Sequence, residues 1–235
     1  MFRILDSEQI IATLETLRRR IVERFPSASL AKVCAELISI AGESRARTAR
    51  IARPYYGLRT GTGIVIVGGL ALLAMAIGLI EVKREQTNVY GILQGIESGF
   101  NIILLMGAAI FFLVTLEKRL KRSEAMDGLH ELRSIVHVID MHQLTKDPTT
   151  LEEAAHATES SPQRTMSAYD LGRYLDYCSE MLSLIAKVAA LYAQSSKDPV
   201  VVEAASDIGQ ITTNLSNKIW QKITLVQRMP PLRGA

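Results

Sequence analysis

Two kinds of apolar pattern alternate along this chain. Over most of its length apolar residues recur every three or four positions, the spacing of one face of an α-helix. Twice the pattern closes into an unbroken apolar run. Residues 61–82 (GTGIVIVGGLALLAMAIGLIEV) carry one charge, Glu81, at the far edge; at 1.5 Å per residue they reach about 33 Å, enough for a ~30 Å hydrocarbon core. Residues 99–116 (GFNIILLMGAAIFFLVTL) carry none and reach about 27 Å, which spans when the flanks help or the bilayer thins. Both runs are read as transmembrane helices.

Ahead of the first run the spacing predicts two short amphipathic helices separated at Phe25-Pro26-Ser27, because proline disfavours helical geometry in the residue before it and Ser27 or Ser29 can cap the next helix. Their stripes are Ile10, Leu14, Leu17, Ile21 and Phe25, then Leu30, Val33, Leu37, Ile38 and Ala41. After Leu116 no breaker appears before Asp147-Pro148, so the second span is expected to continue as one helix, with Gly128 as a local weak point. Residues 147–167, rich in Ser, Thr, Pro and Glu, read as a loop. Residues 168–195 are apolar around more than half a helix, which predicts the central helix of a bundle. A last helix, 199–227, starts with Asp198 as cap and Pro199 at its first position, and its expected seam is Val200, Ala204, Ile208, Ile211, Leu215 and Ile219.

Cations flanking the runs set the orientation, since Lys and Arg near a span stay on the cytoplasmic side. Arg45, Arg47, Arg50, Arg53 and Arg59 precede the first run with no acid between Ser44 and Thr60, and Lys118, Arg119, Lys121 and Arg122 follow the second. The connection, 83–98, has Lys83 and Arg84 set against Glu85 and Glu97. Both termini are expected in the cytoplasm, with Tyr55 and Tyr56 as an interfacial belt. The chain opens on a charged amphipathic helix with no apolar signal region, so the first span is expected to direct insertion. The five arginines also stand where anionic lipid headgroups are expected, while Arg18, Arg19 and Arg20 read as a solvated face.

The expected fold is thus an all-α membrane protein: a two-helix transmembrane hairpin with a cytoplasmic helical bundle built from both termini. Its parts are a helical hairpin and basic linker (1–60), a first span (61–82), a short periplasmic loop (83–98), a second span (99–116), the bundle (117–229) and a tail (230–235).

Composition narrows the chemistry. A net charge of +3 is too small to call for nucleic acid, and 48% hydrophobic with 6% aromatic residues suits helices better than sheets. Cys34 and Cys178, the only cysteines, lie in apolar stripes away from any metal-binding or redox spacing and read as core thiols. No cofactor is expected, and no nucleophile–base pair is visible. Below the second span, His130 and His137 fall on one edge of a helix two turns apart, each three residues from a carboxylate, Asp127 or Asp140. His130, His137 and Asp140 are a candidate metal or proton-sensing set, weighed against histidines that merely border an apolar stripe. Glu97 and Asn101 at the mouth of the second span read either as a cation-attracting ring in an oligomer or as a solvated loop end. Gly68, Gly69, Ala74, Gly78 and Gly107 allow close helix approach, within the hairpin or between subunits.

Four stretches, GAAIFFLVTLE (107–117), VIDMHQLTKDP (138–148), RYLDYCSEMLSLI (173–185) and NKIWQKI (217–223), resemble an uncharacterised family of bacterial two-span membrane proteins. That resemblance implies a bacterial inner-membrane location and no particular activity. The expected function is a non-enzymatic scaffold or signal-coupling protein, a homo-oligomer in the lipid bilayer that presents its bundle to a cytoplasmic protein; the alternative is a small homo-oligomeric ion channel lined by the second span.

Overall fold

The computed structural model describes residues 4–82, 89–146 and 166–228. Its helices are α1 (Ser7–Arg24), α2 (Leu30–Ala52), α3 (Tyr56–Val82), α4 (Val89–Leu144), α5 (Ala168–Ser195) and α6 (Pro199–Arg228). No strand occurs among the described residues. The chain divides into two compact units, Met1–Ala52 with Glu124–Ala235, and Arg53–Ser123. Helix α4 supplies residues to both.

The helix ends have local causes. The Asp6 carboxylate accepts from the Glu8 N–H at 2.8 Å to open α1, and α1 closes at Phe25, whose N–H still reaches Ile21 O before Pro26 intervenes. The Ser167 hydroxyl accepts from the Asp170 N–H to open α5, and the Asp198 carboxylate accepts from the Val200 N–H to open α6, with Pro199 first in the helix. Ser29 departs from expectation. Its carbonyl takes the first bonds of α2, from Lys32 and Val33, but its hydroxyl lies 3.0 Å from His142 Nε2 on α4 instead of folding over the α2 amides.

Two helices are longer than the apolar pattern indicated. Helix α2 runs to Ala52, so Arg45, Arg47 and Arg50 stand on a helix rather than on a linker. Its buried stripe passes from Leu37 and Ala41 through Ser44 and Thr48 to Ile51. The polar members hid that continuation, yet the Thr48 hydroxyl donates to Ser44 O at 2.8 Å and so is buried without a lost hydrogen bond. Helix α4 begins at Val89, so residues 89–98, read as loop, are helical; no proline interrupts them, and Val89, Leu93 and Ile96 recur at helical spacing. The remainder of that loop (83–88), residues 147–165 and the tail from 229 lie outside the described residues.

In the first unit α5 is central. Leu175, Cys178, Met181, Leu182, Ile185 and Val188 are fully buried, and the helix packs on α1, α2 and α6. The seam of α6 is Val201, Ala205, Ile208, Thr212, Leu215, Ile219, Ile223 and Val226; it shares Ile208, Leu215 and Ile219 with the expected one, Ala204 and Ile211 pack against the core at its edge, and Val200 lies off it. Val200 is 39% exposed. Thr212 joins the seam because its hydroxyl donates to Ile208 O at 2.9 Å, so it is buried without a lost hydrogen bond. The second half of α4 contributes Ala125, Leu129, Leu132, Val136 and Ile139 to the same core.

Gly128 marks where α4 enters that core. A Cβ built there would overlap the Tyr192 hydroxyl and lie 2.6 Å from its Cζ and 3.1 Å from Arg47 Nη1. The residue read as a weak point therefore creates the space that Tyr192 of α5 fills. Tyr192 is itself fully buried and donates to Ser44 Oγ on α2 at 3.1 Å.

In the second unit α3 and the first part of α4 are apolar and outward-facing. Both are long and apolar enough to cross a membrane, by length and composition. Large side chains stand open on each, among them Ile64 at 73%, Leu105 at 69% and Phe111 at 74% exposure. Of the glycines in the expected packing set, Gly69 meets a neighbour, Met106 of α4, while Gly68, Gly78 and Gly107 face open space; Ala74 is exposed.

The Gly128 junction makes a stability prediction. Adding one methyl group at Gly128 should destabilise the first unit by about 1–3 kcal/mol through overpacking, although alanine is the better helix former by about 1 kcal/mol. Gly209→Ala, at a helical position open to solvent, should gain up to about 1 kcal/mol. Denaturant titration of the two variants should give opposite signs, and equal gains would refute the close approach.

Candidate functional site

The first unit is held together by polar contacts between helices distant in sequence. Arg47 of α2 makes a two-pronged contact with Glu131 of α4, at 2.7 and 2.9 Å, reaches Glu43 one turn back at 2.9 Å, and donates to Tyr192. Donating to the Glu131 carboxylate strengthens the hold of the guanidinium on its proton despite partial burial. Burial pushes the Tyr192 phenol above its ordinary value, opposed by its bonds to Ser44 and Arg47. Arg45 pairs with Glu8 of α1 and Arg50 with Glu124 of α4.

The far end of α4 is gripped from α6. Lys222 Nζ donates to Gln143 O at 3.1 Å and to Gln143 Oε1 at 2.8 Å, a cation placed where the helix C-terminus carries partial negative charge. Gln143 is buried and its amide donates to Asp140 Oδ1 at 2.7 Å. His142 bonds Val138 O at 2.8 Å in addition to Ser29. His130 and His137 are exposed on α4, and among the described residues no group of three or more His, Cys, Asp or Glu stands where it could hold a metal ion. Asp140, the third member of the candidate set, is occupied by Gln143.

At the other end of α1, an aromatic group binds α1 to α5. Phe25 meets Tyr174 and Tyr177 edge-on at 5.7 and 6.2 Å. Arg20 stacks on Tyr177 at 5.2 Å and pairs with Glu180 at 2.9 Å, so it is a contact of the α1–α5 interface rather than part of a solvated face. Two open grooves of about 430 and 320 Å³ flank the 57% exposed Trp220 along α5 and α6. The first is lined mainly by small and polar side chains, among them Ser183 and Lys187, whose ammonium donates to the Ser183 hydroxyl at 2.7 Å; the second sets Tyr169, Trp220, Ile223 and Val226 beside Arg173, Asp176 and Gln227.

In the second unit Glu117, one residue beyond the apolar run, ties the start of α3 to α4. It accepts from the Tyr55 N–H at 3.3 Å and forms ion pairs with Lys121 at 3.1 Å and Arg59 at 3.6 Å. Partial burial would raise its carboxyl, but the Lys121 ammonium, the Tyr55 amide and Arg59 outweigh this and hold it below the usual carboxylate range. Lys121 also lies over the Tyr55 ring at 5.5 Å. Beside this knot is a cleft of about 420 Å³ lined by Arg59, Thr62, Leu113, Val114, Glu117, Lys118 and Lys121. Glu97 and Asn101 stand exposed on α4.

Of the five arginines expected at lipid headgroups, four have carboxylate partners: Arg45, Arg47, Arg50 and Arg59. Those partners lie on other helices, which is why the acid-free stretch around the arginines concealed them. No protein-family model, curated protein or solved structure matches the chain.

Burial fixes the chemistry of the thiols. It pushes Cys34 up to about 11 and Cys178 to about 12, from an ordinary 9.0, against the opposing charges of Arg18 and Lys222. Both thiols are neutral at pH 8 and should resist a thiol-specific disulfide reagent in the folded protein, then react together on denaturation. Because their folded values are raised, their contribution to stability is complete below pH 9.0 and is lost as pH climbs toward 11–12. A Cys34→Ala/Cys178→Ala protein should show a shallower alkaline loss of stability; an unchanged slope would contradict this.

Proposed function

We propose that the chain is an integral membrane protein whose α3 and α4 cross the bilayer with both termini in the cytoplasm, and that it works as a non-enzymatic scaffold or signal-coupling protein. One observation carries this reading: α4 is a single helix from Val89 to Leu144, outward-facing and apolar over its first half and buried in the core of the first unit over its last. An exposed apolar surface on that scale is foreign to a soluble monomer and is ordinary in lipid. The cation asymmetry around the apolar runs supports cytoplasmic termini. The bacterial inner membrane is inferred from the family resemblance of the carboxy-terminal stretches.

Self-association is supported by Gly68, Gly78 and Gly107, whose open faces let a second copy approach closely. Phe111 and Phe112, 74% and 63% exposed, occupy the part of α4 that a conducting pore would line with polar groups, and this favours the scaffold over the channel.

Single cysteines introduced at Tyr90 and Gln210 in a protein lacking Cys34 and Cys178 test the topology. A membrane-impermeant maleimide should label position 90 in intact spheroplasts and position 210 only after lysis. Labelling of both from the outside would refute cytoplasmic termini. In the same membranes, crosslinking from the first unit should capture a second, different protein reproducibly; capture of self-contacts alone would sink the scaffold.

A further inference from the structure

We propose that the cleft between α3 and α4 binds the headgroup of an anionic phospholipid; this rests on the membrane reading above. Three cations, Arg59, Lys118 and Lys121, face one carboxylate, Glu117, so the lining carries two net positive charges. The charges are held in place rather than dispersed. Glu117 fixes Lys121 at 3.1 Å and Arg59 at 3.6 Å, and the Tyr55 ring supports Lys121 from its other side. Lys118 is exposed, and among the described residues no carboxylate pairs with it. It is left to neutralise an incoming anion.

The apolar part of the lining defines the rest of the ligand. Leu113 and Val114 belong to the uncharged run 99–116, so the occupant must present an anion at one end and hydrocarbon at the other. A soluble phosphate or acidic peptide satisfies only the first condition. A zwitterionic lipid brings its own ammonium into a site already two charges positive, whereas a phosphatidylglycerol-type headgroup has a phosphate and hydroxyl groups to offer and no cation. The cleft volume of about 420 Å³ accommodates a glycerophosphate group with its ester-linked chain ends leaving along α4. Basic recesses between membrane helices at the cytoplasmic boundary bind such headgroups in general.

The test uses the full chain in nanodiscs of mixed phosphatidylglycerol and phosphatidylethanolamine, released gently and weighed by native mass spectrometry. The wild type should retain phosphatidylglycerol in preference to phosphatidylethanolamine, and Lys118→Gln should lower that preference about fivefold. Arg119→Gln, one residue along α4 but outside the cleft, should leave it unchanged. An equal loss in Arg119→Gln would mean diffuse surface charge and overturn the site. Displacement of the lipid by millimolar inorganic phosphate would mean a phosphate site without lipid specificity and overturn it likewise. Resistance of the protein to alkaline carbonate extraction is read in parallel: extraction into the supernatant defeats the membrane reading, while firm insertion without lipid preference defeats this proposal alone.

Discussion

The first unit depends on the close approach of Tyr192 to Gly128. The missing side chain on α4 admits the phenol of α5, and the phenol brings its hydroxyl to Ser44 of α2. A buried hydroxyl left unpaired costs about 1–3 kcal/mol, so the tyrosine needs both Ser44 and Arg47. Arg47, only 17% exposed, in turn needs Glu131, which accepts from both of its nitrogens. Each polar group in the series is satisfied by the next, and the series runs α5, α2, α4. Among the described residues no buried side-chain nitrogen or oxygen lacks a partner.

This junction holds the helix that bears the apolar run. Helix α4 has 56 residues, about 84 Å at 1.5 Å each, of which a bilayer needs only about 30 Å. The remainder is fastened at Glu124 by Arg50, at Glu131 by Arg47 and at Gln143 by Lys222. Anchoring at both ends of this segment makes the helix that carries the apolar run a structural member of the first unit's core. That is the physical content of the coupling role argued for this protein, and it assigns Gly128 a purpose that its low helix propensity alone would not reveal.

Much of the fold could be read from the order of residues because its causes are local. The Asp198 cap, the Pro26 break and the 3–4 spacing in α1 and α5 act over a few residues. What escaped reading depended on distant partners or on hidden satisfaction of polar groups. Arg45, Arg47 and Arg50 looked like headgroup ligands because their acids lie 37, 84 and 74 residues away. Thr212 and Thr48 are absent from the apolar stripes because their bonds to their own helix carbonyls leave no trace in hydropathy. The basic cleft was half legible: Arg59, Lys118 and Lys121 were visible as flanking cations, but only the fold places them around Glu117 beside Leu113 and Val114.

The account stands or falls on α4 being one helix from its apolar half into the bundle. Amide hydrogen exchange of the protein in lipid measures this residue by residue. The account predicts slow exchange without a break from the apolar run through Lys118–Gly128 to Leu144. Exchange at the rate of an open chain anywhere between Lys118 and Gly128, with protection on both sides, would show two helices joined by a hinge and contradict it.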